Sequence, residues 1–390
     1  MLPAVTQFGW AAAVAVVGIV SNLLLSAPTF DPHACSHFEP YMNEYLVGQQ
    51  PAMRVLTDAI CDFLDDGAST GRMGSSPLVV SLHGPPGVGK TYFHKLAARA
   101  LYNTEERCPG RGCPAYKVLF GMDYSNEDVA EQHRLLQNSL VDHVALYPQS
   151  LIVIEEYDKL DCHMRGFFRQ MLQGNLVVGH GNRSTSLGQS IVVLESNLGY
   201  SVLHGLLEGS AGSIGDGTRD GTGIAVRRRR DEVPMEDAQR ALKDMIFSVW
   251  REQGCEDFSD SQKFMRSVDH FLPFYPLEKE DIVELFEKKL RGYEKASGGR
   301  LGCDGECRRV VVPFLVQKVE FDGRYPIEGG KEVNTISTGH LSRPFRRWLD
   351  DRDGTTPGPK GEEGEEGEEG EEGAFGWRVV DGNIVIELIR

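Results

Sequence analysis

The chain has 390 residues, 41% of them hydrophobic and 25% charged, which excludes a disordered chain and suits one large core with a smaller one beside it. A formal net charge of -16 excludes unspecific attraction to nucleic acid, and no nucleic-acid partner is expected. About half of that imbalance is local, because eight glutamates crowd the run from Glu362 to Glu372.

The first element in chain order is FGWAAAVAVVGIVSNLLL, an uncharged apolar stretch from Phe8 to Leu25 broken only by Ser21 and Asn22. Its 18 residues fall between a signal-peptide core and a minimal membrane span. Residues 1–30 are therefore expected to be a cleaved signal or a retained anchor, with a buried helix as the alternative. Entry into the secretory pathway would let some of the eight cysteines pair. Cys108 and Cys113 flank PGRG, and Cys303 and Cys307 flank DGE, so either pair could close a small loop. Zinc would need four ligands, which the irregular spacing disfavours. Asn182-Arg183-Ser184 is a glycosylation triplet.

After a polar connector, YLVGQQPAMRVLTDAICDFLDD reads as a turn and then a helix, with Val55, Ile60 and Leu64 at near-helical spacing. PLVVSLH is a short apolar run suited to a buried parallel strand, and YFHKLAARALY beyond it has helical spacing. KVLF at 117–120 is a second strand. Ser125 and Asp128 are expected to form a capping box for a helix reaching about Leu146, with Val129, Leu136, Leu140 and Val144 down one face. LIVIEEYDKL is a strand ending in two carboxylates, and SIVVLESN another ending in Ser196 and Asn197. Such alternation predicts an α/β fold with a doubly wound parallel sheet, covered on both faces and binding ligands at its strand ends.

Residues 205–223 are rich in glycine and polar residues and read as a loop. Arg227 to Arg230 are expected to be a solvated start to the helix PMEDAQRALKDMIFSVW, a localisation or processing signal being the alternative. From FLPFYPLEKEDIVELFEKKLRGY onward the spacing turns helical. The expected organisation is an α/β nucleotide-binding unit over 40–275, a small helical domain over 276–350, an acidic linker over 351–376 and a strand or hairpin over 377–390, turning near Asp381-Gly382.

Between the first strand and its helix stands HGPPGVGKT. Gly84, Pro85, Pro86, Gly87, Val88 and Gly89 would fold the backbone around phosphate oxygens at a helix N-terminus, where the free N–H groups of the non-proline residues favour an anion. Lys90 would reach the outer phosphates and the Thr91 hydroxyl would take one magnesium position, so ATP and Mg2+ are the expected cofactors. Glu155 would hold magnesium through water. Glu156 would orient and deprotonate the attacking water. Asn197, at the tip of the next strand, could hydrogen-bond that water or the γ-phosphate.

The stretches YLVGQQ, VSLHGPPGVGKTYFHKLAARALY, LIVIEEYDKL, IVVLESN, RRDEVPMEDAQRAL and VDHFLPFYPLEKEDI follow one another as in torsins, and over about residues 40–350 the chain resembles that family. Torsins are AAA+ ATPases of the endoplasmic reticulum and nuclear-envelope lumen, related to the Clp clade. The resemblance implies nucleotide contacts from Val47 and Gly48, and a sensor arginine, Arg343, from the Clp-like variant GHLSRPFRRW. It also implies a homo-oligomer, a membrane-anchored activator that supplies an arginine finger, and a protein client. Departures are visible. Thr91 stands where torsins typically carry Asn, Glu155 where they carry Asp, and the cysteine of their Gly-Cys-Lys redox element is missing from the Arg343 stretch. Ser267 occupies the position of the Clp-type finger, with Arg266 one residue away. The aromatic-glycine pore loop of unfoldases is replaced by GMDYSNEDVAEQHRLLQ, where Tyr124 is expected to pack at a turn. Two alternatives to a torsin-like ATPase stay open: a Clp-like unfoldase, and a nucleotide-dependent scaffold with negligible hydrolysis.

Overall fold

The computed structural model describes residues 27–70, 76–103, 112–172, 175–177, 184–209, 227–253, 258–353 and 375–388. The apolar stretch Phe8–Leu25, Cys108, Asn182 and most of the acidic linker lie outside them, as do residues 210–223 of the expected loop.

Five strands form the main sheet: β1 Leu78–His83, β2 Tyr116–Phe120, β3 Leu151–Glu155, β4 Ile191–Ser196 and β5 His270–Pro273. All pairings are parallel, in the order β2-β3-β4-β1-β5. Parallel strands need crossovers, and the helices between them cover both faces.

The period of two along each strand sorts the core. Leu78, Val80, Leu82, Val153 and Val193 pack beneath α1 (Ala34–Tyr45), α2 (Gln50–Thr70) and α3 (Lys90–Tyr102), through Phe38, Leu56 and Leu96 among others. Val79, Ile152, Ile154, Val192 and Leu194 face the other way. They meet α4 (Val129–Leu146), α5 (Arg165–Leu172), α7 (Met235–Glu252) and α8 (Phe258–Arg266) through Leu140, Phe168, Trp250 and Phe264. Between β4 and α7 runs α6 (Tyr200–Leu207), so the expected loop begins with helix. A Cys35–Cys61 disulfide ties α1 to α2.

Asp128 alone caps α4, its carboxylate accepting from Glu131 N at 2.9 Å, so the expected capping box with Ser125 is not formed. Tyr124 is half-buried and packs against the second core cluster, as expected of a turn residue.

A third core lies beyond β5. It is built from α9 (Lys279–Ala296), α10 (Gly305–Val316), α11 (Gly330–Ser337) and α12 (Arg343–Asp353), with Ile282, Phe286, Val311, Leu315, Val333 and Trp348 inside. The C-terminal hairpin, β7 Phe375–Val380 and β8 Asn383–Leu388, closes it. Asp381 and Gly382 both have positive φ, 49° and 73°, the backbone of the two-residue turn that suits strand twist. The hairpin is not a free tail. It adds in parallel to β6 (Leu301–Gly302) and buries Trp377 and Ile384, because its apolar face needs a partner. The Cys303–Cys307 disulfide, one of the two small loops expected, staples the turn into α10.

Several polar contacts join the two units. The Arg230 guanidinium pairs with Asp281 and donates to Gly48 O at 2.8 Å. Arg324 bonds Glu208 at 2.8 Å, and Gly330 N donates to Gly87 O at 2.7 Å. Arg230 is thus no solvated arginine, as the basic run suggested: its side chain is 13% exposed, against 75% for Arg229. Asp281 buries Arg230, while Arg227, 50% exposed, pairs with Glu278 at 3.1 Å.

Candidate functional site

The loop between β1 and α3 folds as the glycine spacing requires. Gly89 is the N-cap of α3 with φ 102° and no side-chain cap, leaving the first N–H groups of a 13-residue helix to an anion. Gly87 has φ 80°, and a Cβ there would stand 2.2 Å from Glu328 O. Any other residue at that position would push away the segment leading into α11.

Lys90, only 3% exposed, uses all three ammonium protons: Nζ donates to Gly84 O at 2.8 Å, Pro85 O at 2.9 Å and Asn197 Oδ1 at 3.0 Å. The Asn197 contact joins the loop to the tip of β4. Burial draws the ammonium down to about 8, with Glu195 and Asp158 pulling the other way and Lys331 adding to the fall. The loop therefore fits a polyphosphate: exchanging carbonyl contacts for phosphate oxygens returns a full counter-charge to a cation held among neutral groups.

Val47 and Gly48 lie between α1 and α2, with Val47 buried and Gly48 at φ 77°. Gln49 fixes this segment to the loop: its Nε2 donates to Val88 O at 3.2 Å and Tyr275 O at 2.9 Å, and its Oε1 accepts from Tyr275 N at 2.9 Å. Pro86 is exposed at the loop's crest.

Glu155 ends β3 and Glu156 follows it in the left-handed region, φ 52° and ψ 41°. A non-glycine residue there costs of order 1–3 kcal/mol and persists where the surroundings over-determine it. Here Gly121 supplies the room, since a Cβ on it would meet Glu156 O at 2.2 Å. The twist separates the two adjacent carboxylates. Glu155 turns beneath α3, where its Oε1 accepts from His94 Nε2 at 2.9 Å.

Thr91, expected beside Glu155, instead donates to Glu195, 3.1 Å from Oε1 and 3.3 Å from Oε2. Glu195 Oε2 is also 3.5 Å from His94 Nε2, and Tyr116 Oη stands 2.6 Å from His94 Nδ1. Burial works against a charge on His94, but the hydrogen bonds and charges of Glu155 and Glu195 prevail and raise its pKa. Neither His94 nor Glu195 was expected to belong to the site. The signal was present: 191, 193 and 195 alternate onto the α3 side of β4, and His94 lies one helical turn beyond Lys90.

Arg343, expected at the γ-phosphate, makes no hydrogen bond to the loop among the described residues. It begins α12, twelve residues after Lys331, about 18 Å along a helical run at 1.5 Å per residue. The residue the fold brings there is Lys331, next to the Gly330 contact and near enough for its charge to act on Lys90. Arg266 is exposed at the end of α8, and Ser267 Oγ donates to Lys263 O at 3.0 Å.

No family model matches the chain. It is similar to the torsin-like protein of Drosophila melanogaster, 23% identical over 260 residues, 66% of this chain and 68% of the relative. It is also similar to the chloroplastic chaperone protein ClpB2 of Oryza sativa, 23% identical over 80% of this chain and 28% of the relative. The chaperone protein ClpB of Nitratidesulfovibrio vulgaris is 26% identical over 81% of this chain and 32% of its own length. The chain thus spans about a third or less of the chaperones it matches. Its parallel sheet carries the phosphate loop with Asn197 at the same edge, and in sequence the chain is similar to a torsin-like protein and to ClpB chaperones.

Proposed function

We propose that the chain is a magnesium-dependent ATP hydrolase that couples nucleotide turnover to remodelling a protein or membrane-associated partner. The observation that carries this reading is the meeting of Lys90 and Asn197 at 3.0 Å, which joins the phosphate loop to the tip of β4. In it, Lys90 and the N–H groups of Gly84, Gly87, Val88 and Gly89 hold the phosphates, and Thr91 and Glu155 hold the magnesium side. Glu156 orients and deprotonates water, and Asn197 fixes its position. Gly48 and Val47 flank the base, and Lys331 takes the sensor role expected of Arg343. Units 40–275 and 276–350 are the large and small domains of such an ATPase.

Lys90→Ala is expected to abolish nucleotide binding, whereas Glu156→Gln keeps binding and lowers turnover by about 10²–10⁴. Parental turnover in the Gln variant would remove Glu156 as the base, and turnover negligible in the parent would favour a scaffold.

Assembly is into a homo-oligomer in the lumen of the endoplasmic reticulum or nuclear envelope. The torsin-like relative and two disulfides, which persist in oxidising compartments, support that location. No helix of the described residues is long and apolar enough to cross a membrane, and the candidate anchor lies outside them. With Ser267 at the finger position, an activator supplies the arginine. Arg266→Ala then leaves basal turnover within about twofold, set against the orders of magnitude a working finger contributes. A rate that grows with self-assembly and collapses in this variant would make the ring self-sufficient. The ClpB alignments, which cover 80% and 81% of the chain, support a second reading as an unfoldase, tested by translocation of an unfolded substrate.

A further inference from the structure

The cluster beneath α3 has a composition that a magnesium-nucleotide site does not require. Glu155 and Glu195 end neighbouring parallel strands whose register pairs Ile154 with Leu194, so the two carboxylates stand side by side on one face. Like charges placed so are unfavourable without a cation between them. His94 fills that position, its side chain 0% exposed, with Glu155 and Glu195 at 12% and 9%.

We propose that in the nucleotide-free chain His94, Glu155 and Glu195 form a binding site for one first-row transition-metal ion, such as Zn2+ or Co2+, which takes Glu155 from the magnesium role the ATPase reading gives it. The three donor atoms lie within 4.8 Å of one another. Two donors each about 2.1 Å from a single ion stand about 3.0–3.4 Å apart at octahedral or tetrahedral angles. His94 Nε2 is already 2.9 Å from Glu155 Oε1 and 3.5 Å from Glu195 Oε2. An ion entering there replaces the proton on Nε2, which leaves to solvent, and its two positive charges balance both carboxylates where an imidazolium balances one. The imidazole nitrogen selects against Mg2+, which prefers oxygen donors, and favours borderline ions. Tyr116 Oη, 2.6 Å from Nδ1, provides the outer contact that fixes the ring and tautomer of a metal-bound histidine. Thr91 Oγ1, bonded to Glu195, links this site to the phosphate loop.

The test uses the full chain after chelator treatment, without nucleotide, titrated with Zn2+ by calorimetry and with Co2+ by visible absorption. Nucleotide binding in Mg2+ is measured on the same preparations, and folding by circular dichroism. One ion per chain is expected, weakened tenfold or more by His94→Gln and by Glu195→Gln. Tyr116→Phe, which preserves shape, is expected to weaken uptake about tenfold through the ring alone. Uptake equal to the parent's in His94→Gln and Glu195→Gln would overturn the site, as would a parent that takes up neither ion while still binding nucleotide. Metal uptake in a chain that binds no nucleotide would refute the ATPase reading and leave this site standing.

Discussion

The strand-end half of the large unit and the core of the C-terminal unit are held together by opposite means. Around the phosphate loop, Ser81, His83, Lys90, His94, Glu195 and Ser196 are all buried, so polar and ionisable side chains replace hydrocarbon where three strands end. In the C-terminal unit the buried polar side chains among the described residues are Ser297 and Ser337, and the rest of the interior is aliphatic or aromatic. Burying an ionisable group costs free energy unless it is paired, so the first region gives up stability for chemistry while the second supplies a rigid body. The difference locates function without reference to a motif: the loop, His94 and the two glutamates lie where the core stops being hydrophobic.

The comparison can be broken most directly at Trp377, which is 1% exposed and packs its ring against Tyr293 at 5.7 Å. Trp377→Ala is expected to destabilise the C-terminal unit by about 4 kcal/mol. Hydrogen exchange should show protection falling in α9, α10 and the hairpin, with the amides of β1, β3 and β4 unchanged. Equal loss in both regions would mean that they unfold as one.

A smaller effect sharpens the other side. Burial, assisted by the Lys90 charge, lowers the His83 pKa to about 3 from an ordinary 6.5. Between those values the unfolded chain binds a proton that the folded chain refuses, so this residue makes stability fall as pH falls below 6.5. The slope is about 1.4 kcal/mol per pH unit. His83→Gln removes the titrating group, and the stability difference between parent and variant should change by that slope over the acid limb. Parallel curves would show that His83 takes up its proton inside the fold.

Much of the sheet was legible because buried parallel strands announce themselves as apolar runs, as LVV, LIVI and IVVL do at the starts of β1, β3 and β4. The phosphate loop was legible for a different reason: its backbone path depends on glycines at fixed spacing. His94 and Glu195 were harder to see, since each is one polar residue in an apolar segment, and only strand register brings Glu195 beside Glu155. Arg343 and Lys331 show the converse. Both are basic residues in the C-terminal unit, and their separation from the loop depends on how α11 meets it, which spacing does not encode. The hairpin was recognised from Asp381-Gly382, but its partner β6 lies some seventy residues earlier across an acidic run, beyond any local signal.

The hydrogen bond from Gly330 to Gly87 O fastens the phosphate loop to the C-terminal unit. Gly330 begins α11 and Asp281 lies in the first turn of α9, so the phosphate loop and Arg230 hold two different helices of the C-terminal unit, at separate points.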